Sequence, residues 1–238
     1  MDDRDPFTMM RIPSAARPLL GITVLLVEDS RYASEAMRLL CMRSGARIRR
    51  ADCLRSARRH LQVYRPSVLI VDLGLPDGSG LELITEAHQA SPRISTILGI
   101  SADDDGQARC AAAGADGFLA KPLHSLAFFQ QEVLRHLPAE MQRSGPQILQ
   151  DQVIHPDFIA YRDDIAHVAD LLDGPSDDAV VAYVTQFLDG VASMAGDKAL
   201  LVATRALRAA QDQRRPLRAD LAHLAGLLQS RLAERVAI

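Results

Sequence analysis

The chain is expected to be an α/β protein: a (βα)5 doubly wound parallel sheet followed by a small all-α helical region. Three observations lead there. From Ile22 to about Leu137, short apolar runs alternate with amphipathic helical patterns. The strongest runs are apolar throughout rather than alternating, as in strands buried on both faces of a parallel sheet. After Leu137 strand patterning stops, and only helical periodicity continues.

The elements follow in order. Residues 1–21 hold Asp2, Asp3 and Asp5 with two early prolines and no apolar signal core, so they read as a loosely ordered leader. Strands are expected at Ile22 to Val27, Val68 to Val71 and Thr96 to Ile100, with weaker ones at Ala46 to Arg50 and Gly117 to Ala120. Amphipathic stretches such as Ser34 to Met42 and Leu54 to Tyr64 supply the intervening helices. This first domain occupies residues 22–137. Prolines and a Ser-Gly pair then mark a linker over 138–154. The helical region, 155–238, reads as His155 to Leu172, Asp177 to Met194, Asp197 to Gln211 and Pro216 to Val236. Gly174-Pro175, Gly196 and Arg214-Arg215-Pro216 form the breaks.

Composition narrows the function classes. A chain of 238 residues suits one large domain or two small ones. A net charge of -3 gives no electrostatic case for nucleic acid or an anionic membrane surface. Cys41, Cys53 and Cys110 are scattered, which argues against a disulfide framework or a zinc site and suits a reduced cytoplasm. No apolar run reaches membrane-spanning length. The expected location is cytoplasmic.

In a doubly wound sheet, chemistry collects beyond the carboxyl ends of the strands. The first strand is followed by Glu28-Asp29, the third ends in Asp72, the fourth is followed by Ser101, and the fifth by Lys121-Pro122. Singly each has a plain structural reading: a helix cap, a turn residue, a solvated lysine. Together they bring three carboxylates, a hydroxyl and an ammonium to one sheet edge. Carboxylates that close repel unless a cation neutralises them, and hard oxygen donors suit Mg2+. A carboxylate nucleophile beside magnesium and a lysine is the arrangement that accepts a phosphoryl group. Of 27 basic residues only Lys121 and Lys198 are lysines, so a compact point charge has been kept at this edge.

Val24 to Ser30 (V-L-L-V-E-D-S), Leu69 to Gly80 (L-I-V-D-L-G-L-P-D-G-S-G), Gly99 to Ala102 (G-I-S-A) and Phe118 to Leu123 (F-L-A-K-P-L) resemble the receiver domain of two-component response regulators. The resemblance covers about residues 22–137. It implies a flavodoxin-like receiver in which Asp72 is the phosphoacceptor. It implies Mg2+ held directly by Asp29, Asp72 and the Gly74 carbonyl, with Glu28 acting mostly through water. Ser101 and Lys121 would contact the phosphoryl group, and Ser101 with Phe118 would form the conformational switch. Gly74 lacks a side chain to shield or position an attacking water, and Asp103 is a candidate for that role. The partners so implied are a sensor histidine kinase or histidine phosphotransfer protein. The receiver would catalyse only its own phosphorylation and dephosphorylation, without being a turnover enzyme.

Beyond residue 140 there is no second carboxylate pair, phosphate loop or metal-ligand cluster in the sequence, which weighs against a catalytic output. From Glu140 to Ile238, ten basic and 14 acidic residues weigh against DNA binding. Leu217 to Leu228 resembles the histidine phosphotransfer motif, Ala-His before Leu-Lys-Gly. One residue is missing after His223, and Ala225 stands where lysine belongs. The alternative is thus a receiver fused to a degenerate phosphotransfer-like or DNA-binding output. Stripes such as Leu200, Ala203, Leu207 and Leu217, Leu221, Leu224, Leu228 suggest an interaction module. They are expected to pack on the receiver or across a homodimer, because so short a region hides little surface alone.

Overall fold

The structure, a computed structural model, describes residues 14, 16–142, 152–174 and 177–234. Five strands form one parallel sheet: β1 (Thr23–Val27), β2 (Arg47–Ala51), β3 (Val68–Asp72), β4 (Thr96–Ser101) and β5 (Gly117–Ala120). Their order is β2-β1-β3-β4-β5, the flavodoxin-like arrangement. Alternate residues point to opposite faces. Val24, Leu26, Val68 and Ile70 therefore pack beneath α1 (Arg31–Ser44) and α5 (Leu126–His136). Leu25, Val27, Leu69 and Val71 pack with residues of α2 (Leu54–Val63), α3 (Gly80–Gln89) and α4 (Gly106–Ala112). Every residue of β3 is buried, which is why its sequence is apolar on both faces until Asp72.

Local chemistry sets the helix ends that frame the strand tips. Ser30 caps α1 through Ala33 N–H, and Gly45 closes that helix with a left-handed φ of 89°. Asp77, in the loop after β3, accepts from Leu54 and Arg55 N–H at 2.8 and 2.9 Å. It thereby ties that loop to the start of α2.

The helical region comprises α6 (Phe158–Asp173), α7 (Asp178–Ala195), α8 (Lys198–Asp212) and α9 (Arg218–Ala233). Asp157, Asp177 and Asp197 cap the first three. Helix α7 packs against α6 and α8, and α9 against α6 and α8, which closes a four-helix unit. Its core holds Ile165, Val184, Leu188, Val191, Leu200, Leu207, Leu224 and Leu228. This amends the expectation for the apolar stripes: Leu200, Ala203, Leu207, Leu224 and Leu228 are buried chiefly against the other helices of the same unit. Four helices of 15 to 18 residues offer enough mutual surface to cover them. The unit also packs on α1 through α6 and α7, with Tyr32 edge-on to Tyr161 at 5.8 Å and Met194 joining the core of the sheet domain.

Two boundaries differ from expectation. Leu19, read as leader, is fully buried in the sheet domain, and so is Ile154, read as linker. Ile154 N–H donates to the His124 carbonyl, and Leu126 N–H to that of Gln152. Leader residues 1–13 and 15, linker residues 143–151, Pro175 and residues 235–238, which include the end of the last expected helix, lie outside the described residues. Among the described residues, no helix is long and apolar enough to cross a membrane.

One ion pair makes the helical unit acid-sensitive. Arg231 Nε lies 2.6 Å from Asp197 Oδ2, which also accepts from Tyr161 Oη at 2.8 Å. The Arg231 hydrogen bond, chiefly, holds the Asp197 carboxyl down at about 2, against an ordinary 3.8. Stability from this group is therefore present above about pH 4 and lost as pH falls towards 2. Urea midpoints followed by helical circular dichroism are expected to fall across that window, and Arg231→Gln to flatten the fall. An equal slope in both proteins would refute the assignment.

Candidate functional site

Three strand tips deliver the ionisable groups. Leaving β1, Glu28 is held by its N–H to the Ala51 carbonyl, and Ser30 N–H donates to Glu28 Oε1 and Asp29 Oδ1 at 3.1 and 3.0 Å. At the end of β3, Asp72 Oδ2 accepts from Gly74 N–H at 2.8 Å. After β5, Lys121 N–H donates to the Ser101 carbonyl, which aims the side chain back across the sheet edge. Lys121 Nζ then lies 2.8 Å from both Asp72 Oδ1 and Glu28 Oε2. Carboxylate oxygens of Glu28, Asp29 and Asp72 come within 4.8 Å of one another.

The electrostatics follow from packing three acids and one base out of water. Burial pushes Asp72 up to about 6, even though Lys121 opposes the shift. Burial first, then Glu28 and Asp72, hold Asp29 well above the usual carboxylate range. Burial alone would lower Lys121, but Asp72 and Glu28 outweigh it and keep the ammonium above its ordinary value. The cluster has one positive charge for three acids, so it is short of cation. Buried, mutually repelling oxygen donors are the set that a magnesium ion satisfies, and the residues present fit that ion.

The remaining expected residues lie around this centre. Ser101 is buried, and its Oγ accepts from Asp103 N–H at 3.1 Å. A Cβ added at Gly106 would lie 2.8 Å from Phe118 Cζ and 3.4 Å from Ser101 Cβ, so the half-buried Phe118 ring and Ser101 flank one stretch of backbone. Asp103 borders the centre, but its carboxylate is engaged by Arg208 of α8 at 2.6 Å. His223 is exposed on α9 and does not line this cavity.

Sequence reasoning did not anticipate the roof. Helix α7 lies over the centre. Tyr183 Oη donates to Asp29 Oδ2 at 2.7 Å. A Cβ at Gly74 would lie 2.6 Å from Gln186 Nε2, and one at Gly190 would lie 3.3 Å from Lys121 Nζ. Asp164 of α6, itself buried, accepts from Ser30 Oγ and from Arg31 and Tyr32 N–H at 2.7, 2.8 and 3.0 Å. The signal that could have pointed there is Gln186, Asp189 and Gly190 interrupting an otherwise apolar helix. The narrow cavity left between α7 and the three carboxylates is about 10 Å3. Beside it, a cleft of about 710 Å3 opens past Asp29, lined by Arg31, Arg50, Asp163 and His167.

Residues 24–131 match the family model "response regulator receiver domain". The KDP operon transcriptional regulatory protein KdpE of Escherichia coli is 32% identical over 99 residues, 42% of this chain and 44% of that protein. The virulence transcriptional regulatory protein PhoP of Salmonella typhimurium is 31% identical over 134 residues, 56% of each chain. The match thus spans about half the length of these curated relatives. Among solved structures, a putative response regulator from Chloroflexus aurantiacus aligns with a TM-score of 0.46 at 26% identity, over 48% of this chain and 96% of the other. With the parallel sheet order and the acidic cluster at its carboxyl edge, residues 24–131 of this chain are a response regulator receiver domain.

Proposed function

We propose that the protein is a cytoplasmic response regulator in which Asp72 takes a phosphoryl group from phosphohistidine on a sensor kinase or phosphotransfer protein. The supporting observation is Lys121 Nζ at 2.8 Å from both Asp72 and Glu28, with Asp29 completing the cluster. An Asp72 carboxylate oxygen bonds to phosphorus as the phosphorus–nitrogen bond breaks, and the imidazole nitrogen keeps that electron pair. Asp29, Asp72 and the Gly74 carbonyl would hold Mg2+, with Glu28 acting mostly through water. When bound, the ion supplies charge neutralisation for the transferring oxygens. Lys121 pairs with one phosphoryl oxygen and Ser101 Oγ donates to another, giving up its contact from Asp103 N–H. The shift of Ser101 draws Phe118 with it, and the altered face biases a downstream protein. The only chemistry assigned is the receiver's own phosphorylation and dephosphorylation. The helical unit serves as an interaction module rather than a DNA-binding one, as its excess of acidic residues favours.

The test uses acetyl phosphate and magnesium chloride, with intact mass as the readout. Phosphorylation is expected in the wild type and not in Asp72→Asn or in chelator. Labelling that survives either condition overturns the assignment. Lys121→Arg is expected to label but to lose its conformational response at Phe118, measured by amide exchange, because a planar guanidinium cannot take the place of a compact ammonium.

A further inference from the structure

The receiver's acceptor is already covered by its own chain. We infer that α7, carried by the four-helix unit, occupies the face on which a phosphodonor must land, so that phosphorylation of Asp72 and docking of α7 exclude one another. The inference rests on the acceptor role proposed above for Asp72 and concerns what regulates it.

Four separate observations point the same way. The first is space. The cavity over Asp72 is about 10 Å3, at the limit of what a single water needs, so neither a phosphoryl group nor a hydrated cation fits while α7 stays. The second is donor occupancy. Tyr183 Oη holds Asp29 Oδ2, an oxygen otherwise free for a cation. The third is complementarity of small residues. Gly190 lets α7 approach Lys121, and Gly74 leaves the volume that Gln186 fills. A side chain at either position would press the two surfaces apart. The fourth is anchorage. Asp164 takes three hydrogen bonds from the first turn of α1, and Arg208 pairs with Asp103 on the opposite rim. Neither anchor touches Asp72, so their geometry is that of an interface and not of the acceptor's own support.

An incoming phosphohistidine must bring its imidazole to bonding distance of the Asp72 carboxylate. Tyr183, Gln186, Phe187 and Gly190 line that approach. The donor helix and α7 therefore compete for one volume. Because the coupling is reciprocal, a phosphoryl group on Asp72 weakens docking as much as docking opposes phosphorylation. Release then exposes the α7 face that carries Tyr183 and Phe187 to a downstream protein.

The experiment uses the full chain, wild type against Gly190→Leu, which wedges α7 upward, and Asp164→Ala, which removes the remote anchor. The readouts are the initial rate of Asp72 labelling by acetyl phosphate with magnesium, and amide exchange across α7. Losing hydrogen bonds to a buried carboxylate is expected to raise the labelling rate about tenfold in Asp164→Ala, and Gly190→Leu is expected to rise at least as much. Beryllofluoride with magnesium is expected to raise exchange in α7 of the wild type. Circular dichroism checks that each variant keeps its helices, and agreement between two unrelated substitutions guards against a local fault in one. Equal Asp72-dependent labelling in all three proteins, or α7 protection unchanged by beryllofluoride, overturns the cover and leaves the acceptor assignment standing. Labelling no different from Asp72→Asn in every protein overturns both.

Discussion

Lys121→Met is expected to destabilise the metal-free chain by about 3–5 kcal/mol at neutral pH and to make its stability depend on magnesium. The substitution keeps the length and bulk of the side chain, so packing is nearly conserved and the lost charge is what is measured. Lys121 is almost wholly buried, with Asp72 Oδ1 and Glu28 Oε2 each at 2.8 Å and Asp29 close by. Without the ammonium, those carboxylates face one another with no cation, and removing one member of a buried pair costs far more than the pair contributes. The pH dependence has a definite sign. Asp72 is already raised to about 6 by burial, and loss of Lys121 pushes it further up. A carboxylate whose folded pKa is raised takes up its proton more readily in the folded chain. The deficit of the variant is therefore greatest well above pH 6 and shrinks as pH falls towards about 6, below which Asp72 is protonated in both folded proteins. Magnesium, entering as α7 lifts, restores cation to the centre and stabilises by mass action, more in the variant than in the wild type. Urea unfolding at several pH values, with and without magnesium chloride, measures all of this. A variant whose midpoint matches the wild type at neutral pH would show that Lys121 is not the counter-charge of the cluster.

How far these features were legible in the sequence depended on whether their cause was local. The buried parallel strands were legible because a strand covered on both faces must be apolar at every position, as Val68 to Val71 is. Glu28, Asp29, Asp72, Ser101 and Lys121 could be placed at one edge from strand ends alone, because parallel connectivity puts every carboxyl end on the same side. The roof was not legible. Tyr183, Gln186 and Gly190 read as ordinary helix residues, and only their meeting with Asp29, Gly74 and Lys121 gives them a role. Asp164 reads as one more surface acid, yet it is buried as a cap on a helix more than 130 positions away in sequence. Leu19 and Ile154 were misjudged for a related reason. Each belongs to a short apolar pair close to a proline, Leu19-Leu20 and Val153-Ile154, too brief for any periodicity to announce that the sheet domain buries one member. The stripes on α8 and α9 were recognised as apolar faces, but their partner was assigned to the wrong surface, since helical periodicity names a face and not what covers it.

Gly80→Ala is expected to cost about 3–5 kcal/mol of stability and to slow labelling of Asp72 as well. A Cβ at residue 80 would fall on the Asp72 carbonyl oxygen, with the carbonyl carbon and Val71 Cγ1 each only 2.9 Å away. The approach is close because Gly80 N–H donates to the Leu73 carbonyl at 3.1 Å, drawing the start of α3 onto the end of β3. Two of the three crowded atoms belong to backbone at the end of a central strand, so no rotamer change relieves the contact. The start of α3 must move, or Asp72 must. Moving α3 loosens Leu83, Ile84 and Ala87 against the sheet, in a core that transmits small displacements. Moving Asp72 displaces the carboxylate from Lys121 and Asp29, where a shift of a fraction of an ångström already weakens a positioned group. Gly74→Ala provides the contrast. Its Cβ would meet the Gln186 side chain, which is flexible and belongs to the roof, so that variant is expected to remain folded and to label faster than the wild type. Urea midpoints together with acetyl phosphate labelling of the two variants separate the cases. A Gly80→Ala chain as stable as the wild type would mean that the strand end yields without cost, and a Gly74→Ala chain that labels no faster would count against the roof.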